Sequence, residues 1–269
     1  MAAVSGPARR RTGQADGHRT GPVIGDAFGR MLRAALAAST GPVRPAGGPF
    51  ELTERDDGVL AVGPADFYLA GPPEWPDCEQ RAAGRLDGRV LDVGAGAGRV
   101  ALLLQERGIR VTALDTSPGA AEVCRRRGVR EAVCATVDQQ LATGERYDCF
   151  ALFGNNLGLL GSREHAPVML DTLAAMARPG ARIVGLGADP PARPGPVTEA
   201  YAERNQRAGR LPGQRRLRSR FQELATGWFD FLWCTAAELE RLAAGSRWRL
   251  AEVDQPDGSS YAATLVLRS

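Results

Sequence analysis

The 269-residue sequence predicts an α/β domain with a mostly parallel, doubly wound sheet that carries helices on both faces. Two observations predict this class. From Arg89 onward, short apolar segments typical of buried strands alternate with helical segments, and the connections between them are short. Two more apolar segments, Trp248–Val253 and Tyr261–Leu267, then close the chain as strands. Such an alternation is typical of parallel sheets whose strands are buried on both sides.

The central part of the chain supplies the elements of this sheet in order. Strands are predicted at Val90–Val93, Val111–Leu114, Glu131–Val137, Cys149–Phe153 and Ile183–Leu186. Helices are predicted at Arg99–Arg107, Pro118–Arg127 and His165–Ala177, the last ended by Arg178-Pro179-Gly180. A final helix over Ala236–Ala244 follows Thr235, a residue type that is favourable at the N-cap position.

The remaining segments predict the domain organisation. Residues 1–22 are rich in Arg, Gly and Ala without an apolar stretch and are predicted to be a disordered tail. Residues 23–86 are predicted to form an N-terminal cap of one helix and one hairpin. Residues 87–269 form the main domain, into which residues 188–232 are inserted as a lid over the substrate.

The cap elements rest on two local patterns. Apolar residues at helical spacing predict a helix over Asp26–Ala38, which Gly41 and Pro42 would end. Phe50–Glu54 and Val59–Val62 flank the turn tripeptide Asp56-Asp57-Gly58, and this arrangement predicts a hairpin.

Composition excludes several classes of protein. No apolar run approaches the ~18–20 residues that span a bilayer, so we expect a cytoplasmic protein without a membrane partner. Five cysteines without a C-x-x-C pair and two distant histidines predict neither a disulfide framework nor a metal site. All 34 basic residues are arginine, but 31 acidic residues balance them and no basic stripe appears, which argues against a nucleic-acid partner.

The most informative motif is the run Val90-Leu91-Asp92-Val93-Gly94-Ala95-Gly96-Ala97-Gly98-Arg99. Here an apolar strand enters a loop with glycine at alternate positions, and a helix begins at once. Glycines allow a ligand to approach the main chain, and the helix start offers free N–H groups. The spacing G-x-G-x-G differs from the G-x-G-x-x-G of dinucleotide sites, because Arg99 takes the third place. The second class of ligand that binds to such a loop is a sulfonium cofactor, which has an amino-acid end in place of a pyrophosphate. Asp92 is placed to orient that end, directly or through water.

A second acidic residue strengthens this interpretation. Asp115 follows Asp92 by 23 residues and ends the next predicted strand. A carboxylate at the tip of this strand can accept both hydroxyls of a ribose. Because Asp115-Thr116-Ser117-Pro118 also begins a helix, capping of that helix is the alternative role for Asp115.

Together with Phe153-Gly154-Asn155-Asn156-Leu157-Gly158 after the fourth strand, these motifs resemble the class I, Rossmann-like S-adenosylmethionine-dependent methyltransferases of the bacterial small-molecule type. The resemblance covers Tyr68 to the C-terminus. It implies a seven-stranded sheet of order 3-2-1-4-5-7-6 with the last strand antiparallel, S-adenosylmethionine as cofactor and S-adenosylhomocysteine as product. The cofactor-binding residues it implies are Tyr68, Asp92, Gly94, Ala95, Gly96, Asp115, Thr116, Thr136, Val137, Gly154 and Asn155.

Two departures from family patterns bear on this resemblance. The segment after the third strand has no acid at the matching place, since Asp138 lies one residue off, and this puts the adenine contacts in doubt. Asn155-Asn156-Leu157 differs from the Asn-Pro-Pro-aromatic pattern of enzymes that methylate amino groups of bases or glutamine. A small-molecule acceptor is therefore favoured.

The acceptor site is predicted from the insertion and the fourth-strand motif. Its candidate residues are Asn156, Tyr201, Arg218, Trp228 and Asp230. Arg216–Phe221 alternates with period two, which predicts a strand with three guanidinium groups on one face. That face is either solvated, or Arg218 or Arg220 clamps a carboxylate or phosphate of the acceptor. Trp228 and Asp230 recur at the same period, which indicates a hairpin, and Trp228 could stack on an aromatic acceptor.

The predicted function is methyl transfer by in-line displacement to O, N or C of a small molecule, a specialised metabolite being one possibility. Alignment and exclusion of water supply much of the rate in such a reaction. No catalytic base is assigned, and His165 is interpreted as an exposed helix-start residue. Two alternatives stay open: an aminopropyl-type transferase on the same fold, and a non-catalytic partner subunit that retains the nucleoside site.

Overall fold

The computed structural model describes residues 21–40, 48–190, 195–255, 258 and 260–268. The strands are β1 (Val23–Ile24), β2 (Phe50–Arg55), β3 (Leu60–Pro64), β4 (Arg89–Val93), β5 (Arg110–Asp115), β6 (Ala132–Cys134), β7 (Tyr147–Leu152), β8 (Ala177–Ala188), β9 (Gln214–Phe221), β10 (Leu224–Ala225), β11 (Phe229–Leu232), β12 (Trp248–Asp254) and β13 (Ser260–Leu267). The helices are α1 (Ala27–Thr40), α2 (Asp77–Ala83), α3 (Arg99–Glu106), α4 (Pro118–Arg126), α5 (Val137–Ala142), α6 (His165–Ala175), α7 (Pro196–Arg207) and α8 (Ala236–Ala244). Residues 1–20 of the predicted tail, and Gly41 and Pro42, lie outside the described residues.

The large sheet has seven strands in the order β12-β13-β8-β7-β4-β5-β6. Its strands are parallel except β13, which runs antiparallel to both of its neighbours. The predicted fold class and strand order are therefore confirmed. Alternate side chains of β4 enter different cores: Leu91 packs in the cluster that contains Trp248, and Val90 in the cluster that contains Leu104. Both faces of the sheet are covered, as the near-continuous apolar strands predict.

Two predicted elements end at the wrong residue, and hydrogen bonds explain both: helix capping in one case and strand pairing in the other. The predicted strand Glu131–Val137 ends at Cys134, because Thr136 caps α5 in a reciprocal arrangement with Gln139. The predicted helix His165–Ala177 ends at Ala175, and the segment through Gly180 belongs to β8. Pairing between β7 and β8 begins at Ala177, so the sheet takes residues that the sequence assigned to a helix stop.

A second, smaller sheet joins the cap and the insertion. Its central strand β9 pairs with β2 from the cap on one side and with β10 and β11 from the insertion on the other, always antiparallel. The predicted hairpin of the cap is confirmed as β2 and β3, and the predicted pairing of the arginine-rich strand with the aromatic run is confirmed as β9 and β11. The insertion also contains α7, which the sequence analysis left without an assignment.

Helix α1 connects the two sheets. Its buried Met31 and Leu32 lie in one cluster with residues of α4. A Cβ atom on Gly29 would come within 2.6 Å of the Cα atom of Gly119, so the two helices meet through glycine backbones. The Asp26 carboxylate accepts hydrogen bonds from the Ser117 hydroxyl at 2.7 Å and the Gly119 N–H at 2.8 Å. These contacts hold the cap against the start of α4.

Two features are absent from the described ranges. No helix within them has the length and apolar character needed to cross a bilayer. Nor do these ranges hold a group of three or more His, Cys, Asp or Glu side chains with the arrangement of a metal site. That the protein functions without a metal ion stays a prediction.

Candidate active site

The glycine loop between β4 and α3 lies at the carboxyl edge of the large sheet. Gly94, Gly96 and Gly98 have φ values of +72°, +56° and +77°, a region in which side chains are strained. The Gly94 and Ala95 N–H groups donate to the Leu114 carbonyl at 2.8 and 3.0 Å, which fixes the loop to β5. A Cβ on Gly96 would meet only the rings of Tyr68 and Phe28, at 3.5 and 3.8 Å. The loop therefore presents open main chain to a cavity.

Asp115 at the end of β5 braces this loop. Its carboxylate accepts from the Gly96 N–H at 2.9 Å and from the Ser117 N–H at 2.8 Å. Ser117 caps α4 by accepting from the Ala120 N–H, so capping is not the role of Asp115. Burial raises the pKa of Asp115 to about 6. Since each carboxylate oxygen has two lone pairs, Asp115 retains acceptor capacity toward the cavity.

Three buried polar atoms on the cavity wall lack a hydrogen-bond partner among the described residues: Asp92 Oδ2, Asn155 Oδ1 and an Arg99 guanidinium nitrogen. Desolvation raises the pKa of Asp92 to about 7. Buried polar groups are almost always hydrogen-bonded, so the two oxygens call for donors and the nitrogen for an acceptor. An amino acid offers both, as ammonium and carboxylate. The site thus fits the methionine end of S-adenosylmethionine.

Arg99 is a site residue that the sequence analysis missed. Its buried side chain forms an ion pair with Glu79 of α2 and lies over the rings of Phe67 and Trp75, at 4.6 and 4.7 Å from the ring centres. Burial raises the pKa of Glu79. An arginine as the first residue of an otherwise buried helix is the one sequence signal that could have drawn attention to it. Its partner Glu79 comes from a helix whose position depends on tertiary packing.

The other predicted cofactor residues lie along the same cavity. Thr116, Thr136 and Val137 line it on the side of β5 and β6, together with Asp138. The Asn156 amide donates to the carbonyls of Val93 and Gly94, at 3.0 and 2.8 Å, and so braces the loop from the opposite side. Tyr68, Gly154 and Asn155 complete the lining near the loop.

The cavity continues from the glycine loop to the small sheet and has a volume of about 970 Å³. This is at the upper end of the ~300–1,000 Å³ typical of ligand sites and leaves room for a second small molecule beside a nucleoside cofactor. Of the predicted acceptor residues, Asn156, Trp228 and Asp230 line the cavity. Aromatic rings dominate its far wall, where Phe231 and Trp233 also contribute.

The structure does not bring Tyr201 and Arg218 to this cavity. The Tyr201 hydroxyl donates to Asp56 at 2.7 Å, and the Arg218 guanidinium makes two hydrogen bonds of 2.9 Å to Glu54. Side chains alternate along a strand, and it is Leu217 and Ser219 of β9 that face the cavity. The predicted strand with arginines on one face is real, but that face is occupied by Glu54.

The strand order of the large sheet and the glycine loop at its carboxyl edge are those implied by the resemblance to class I S-adenosylmethionine-dependent methyltransferases, and the resemblance is confirmed. Residues 90–180, about a third of the chain, match the family model described as methyltransferase domain. This segment contains the glycine loop, Asp115 and the fourth-strand motif.

Proteins of known type resemble this chain in part of its sequence or in its fold. Glycine N-methyltransferase from Rattus norvegicus is 29% identical over 113 residues, which is 36% of this chain and 39% of that protein. The matched part thus spans about two fifths of the length of this curated relative. A structure of a SAM-dependent methyltransferase from Bacteroides fragilis, in complex with S-adenosyl-L-homocysteine, superposes with a TM-score of 0.73 at 22% identity, covering 91% of this chain and 95% of that one. The CcbJ methyltransferase from Streptomyces caelestis superposes with a TM-score of 0.57 at 14% identity, covering 76% of this chain and 96% of that one.

Proposed function

We propose that this protein is an S-adenosylmethionine-dependent methyltransferase that methylates O, N or C of a small molecule. The observation that carries the proposal is the continuity of one cavity from the glycine loop to the aromatic wall of the small sheet. The loop, Asp92 and Asp115 provide a place for the cofactor, and the aromatic wall provides a place for an apolar or aromatic acceptor.

The residues of the site have separate tasks. When bound, the cofactor supplies an electrophilic methyl group. Asp92 and Asn155 would accept from its ammonium, Arg99 would donate to its carboxylate, and Asp115 would accept from ribose hydroxyls. Thr136 and Val137 would flank the adenine. The small sheet would cover the acceptor and exclude water, and it would align the attacking atom for transfer.

Two observations bear on the alternatives. The Arg99 nitrogen without a partner among the described residues calls for an anion at the amino-acid end, and the decarboxylated cofactor of aminopropyl transfer lacks that anion. The cavity volume beyond the loop favours an enzyme over a partner subunit that retains only a nucleoside site. The proposal does not depend on location, on other partners or on oligomeric state. A cytoplasmic location and the absence of nucleic-acid and membrane partners stay predictions.

The test is calorimetry with S-adenosylhomocysteine, followed by a methyl-donor assay against a panel of small molecules. We expect binding and turnover with at least one acceptor. Failure to bind S-adenosylhomocysteine contradicts the proposal, and binding without turnover on any acceptor favours the non-catalytic alternative. Binding of the decarboxylated cofactor in preference to the intact one favours aminopropyl transfer.

A further inference from the structure

The small sheet turns one face of each strand toward the cavity. Glu51, Thr53 and Arg55 of β2 face it, next to Leu217 and Ser219 of β9. Leu52 and Glu54 lie on the other face, since side chains alternate along a strand. Residue Glu51 is therefore a carboxylate on the acceptor side of the site, and neither the cofactor motifs nor the predicted acceptor residues include it.

The surroundings of Glu51 are unusual for a carboxylate. It accepts a hydrogen bond from the Tyr68 hydroxyl at 2.7 Å, and the Ser219 hydroxyl is a second neutral donor. Partial burial raises its pKa. Within the ranges that the structure describes, Glu51 forms no ion pair, whereas Glu54 on the opposite face binds the guanidinium groups of Arg218 and Arg220 at 2.9 and 3.2 Å.

Glu51 is also close to the cofactor wall. The Tyr68 ring that binds it contacts the position of Gly96, where a Cβ would be 3.5 Å from the ring. One tyrosine side chain thus separates Glu51 from the loop that would hold the cofactor. A group bound by Glu51 would lie on the small-sheet side of the cavity, one tyrosine side chain away from the glycine loop.

The arginines on the cavity wall are each engaged by other residues of the protein. Arg55 makes two hydrogen bonds to Asp57, at 2.8 and 2.7 Å. Arg99 is ion-paired with Glu79, and the Arg215 guanidinium lies 3.7 Å from the centre of the Trp233 ring. The acceptor side of the cavity therefore offers, among aromatic rings, a carboxylate that no cation of the described residues pairs with. This combination suits a nitrogen group that is cationic or donates N–H.

We propose that Glu51 binds and deprotonates the attacking nitrogen of the acceptor, so that the acceptor is a primary or secondary amine attached to an apolar or aromatic small molecule. This inference rests on the proposed function and narrows its acceptor from O, N or C to an amine. The amine attacks in its neutral form, after an ammonium has released one proton to solvent. The nitrogen lone pair then forms the new N–C bond while the methyl C–S bond breaks, its electron pair passing to sulfur. The N–H proton passes to Glu51 and from there to solvent, which leaves a neutral methylated amine.

The experiment uses the full chain with S-adenosylmethionine and a panel of 2-phenylethylamine, tyramine and tryptamine, with 3-phenylpropionate and 4-ethylphenol as acceptors that lack the amine. We expect methylation of amines only. The E51Q variant should lower kcat/KM for the best amine by about 100-fold, since a positioned general base contributes ~10²–10⁴-fold. The affinity of E51Q for both S-adenosylmethionine and S-adenosylhomocysteine should stay within about twofold of wild type, far from the ~10-fold change that the loss of a contact worth ~1.4 kcal/mol would cause.

The matched control is E54Q, a change of the same type on the opposite face of β2. It should leave kcat/KM for amines unchanged, and thermal unfolding should show that both variants are folded. Methylation of 4-ethylphenol or 3-phenylpropionate alone overturns the inference, as does full amine activity in E51Q. Selective loss of S-adenosylmethionine affinity in E51Q also overturns it, because Glu51 would then serve the sulfonium.

One further measurement separates this inference from the proposed function. If the protein binds S-adenosylhomocysteine but methylates no member of the panel, tryptamine is titrated into that complex by calorimetry. Binding to wild type with loss of binding in E51Q supports an amine site. Absence of binding to wild type overturns the amine site and leaves the methyltransferase assignment standing. Absence of S-adenosylhomocysteine binding instead contradicts the proposed function itself.

Discussion

The two walls of the cavity hold a ligand in different ways. The cofactor wall consists of open main chain at the carboxyl edge of parallel strands, with Asp92 and Asp115 at the ends of neighbouring strands. The acceptor wall is one face of an antiparallel sheet, and side chains such as Glu51 and Trp228 line it. Most of the first wall comes from residues 92–156, whereas the second wall joins β2 to β9, which lie far apart in the sequence.

The contrast suggests that the cofactor wall provides a general binding site and that the acceptor wall determines selectivity. A loop that binds through its backbone depends on glycine positions and a few acids, which a short motif can specify. A wall that binds through side chains can change with each substitution on β2, β9 or β11 while its strands stay paired. Three measurements test the contrast, and the effects that we expect decrease from Asp115 through the contact of α1 with α4 to the dependence on pH.

The largest effect is expected from Asp115 on the cofactor wall. The D115N variant loses the negative charge that accepts from Gly96 and that we propose accepts from the ribose, and hydrogen bonds to charged groups are worth ~1.5–3 kcal/mol each. We expect affinity for S-adenosylhomocysteine to fall by about 100-fold in calorimetry, which corresponds to ~2.7 kcal/mol. The acceptor wall should keep its structure, which circular dichroism and thermal unfolding check. Unchanged affinity in a folded D115N protein would remove the basis of the cofactor site.

The next effect concerns the joint between the two walls. In G29A the new methyl group would meet the backbone of Gly119 at 2.6 Å. Because the contact is with backbone, a whole helix would have to shift to relieve it. Overpacking of this kind costs ~1–3 kcal/mol, so we expect the free energy of unfolding to fall by about 2 kcal/mol in urea titrations. G63A is the matched control, since nothing lies within 4 Å of a Cβ at Gly63. Equal stability of the two variants would show that α1 and α4 are not held in close contact.

The smallest effect is expected from pH. Burial raises the pKa of Asp92 to about 7 and that of Asp115 to about 6, above the ordinary value of 3.8. The stability that these two groups contribute to the unliganded protein is fully present below about pH 4 and is lost as pH rises through 6 to 7.

Cofactor binding should show the opposite dependence, because ammonium and hydroxyl donors favour ionised Asp92 and Asp115. Affinity for S-adenosylhomocysteine should rise with pH by at most ~10-fold per unit for each group and level off above the pKa of Asp92. Calorimetry from pH 5.5 to 8 measures this as at most ~1.4 kcal/mol per pH unit for each group. The D92N variant should lose the upper part of the rise. A flat profile in wild type would mean that neither carboxylate titrates in the unliganded site.

Some features of this protein could be predicted from the sequence because they rest on neighbouring residues. The glycine spacing at Gly94–Gly98, the acid at Asp115 and the alternation of apolar segments each arise within a few positions of one another. Period two along Arg216–Phe221 predicted a strand, and that strand exists as β9. Local patterns determine which backbone an element adopts and which of its faces are apolar.

Tertiary structure decided which partner each face meets. Arg218 faces Glu54 and not the cavity, because β9 pairs with β2 from near the other end of the chain. The same pairing brings Ser219 to Glu51, and the packing of α2 brings Glu79 to Arg99. Side-chain periodicity defines the two faces of a strand. Which of these faces is buried against a distant segment depends on the packing energy of the whole fold. Most residues of the cofactor wall could therefore be predicted from the sequence, whereas those of the acceptor wall could be identified only from the structure.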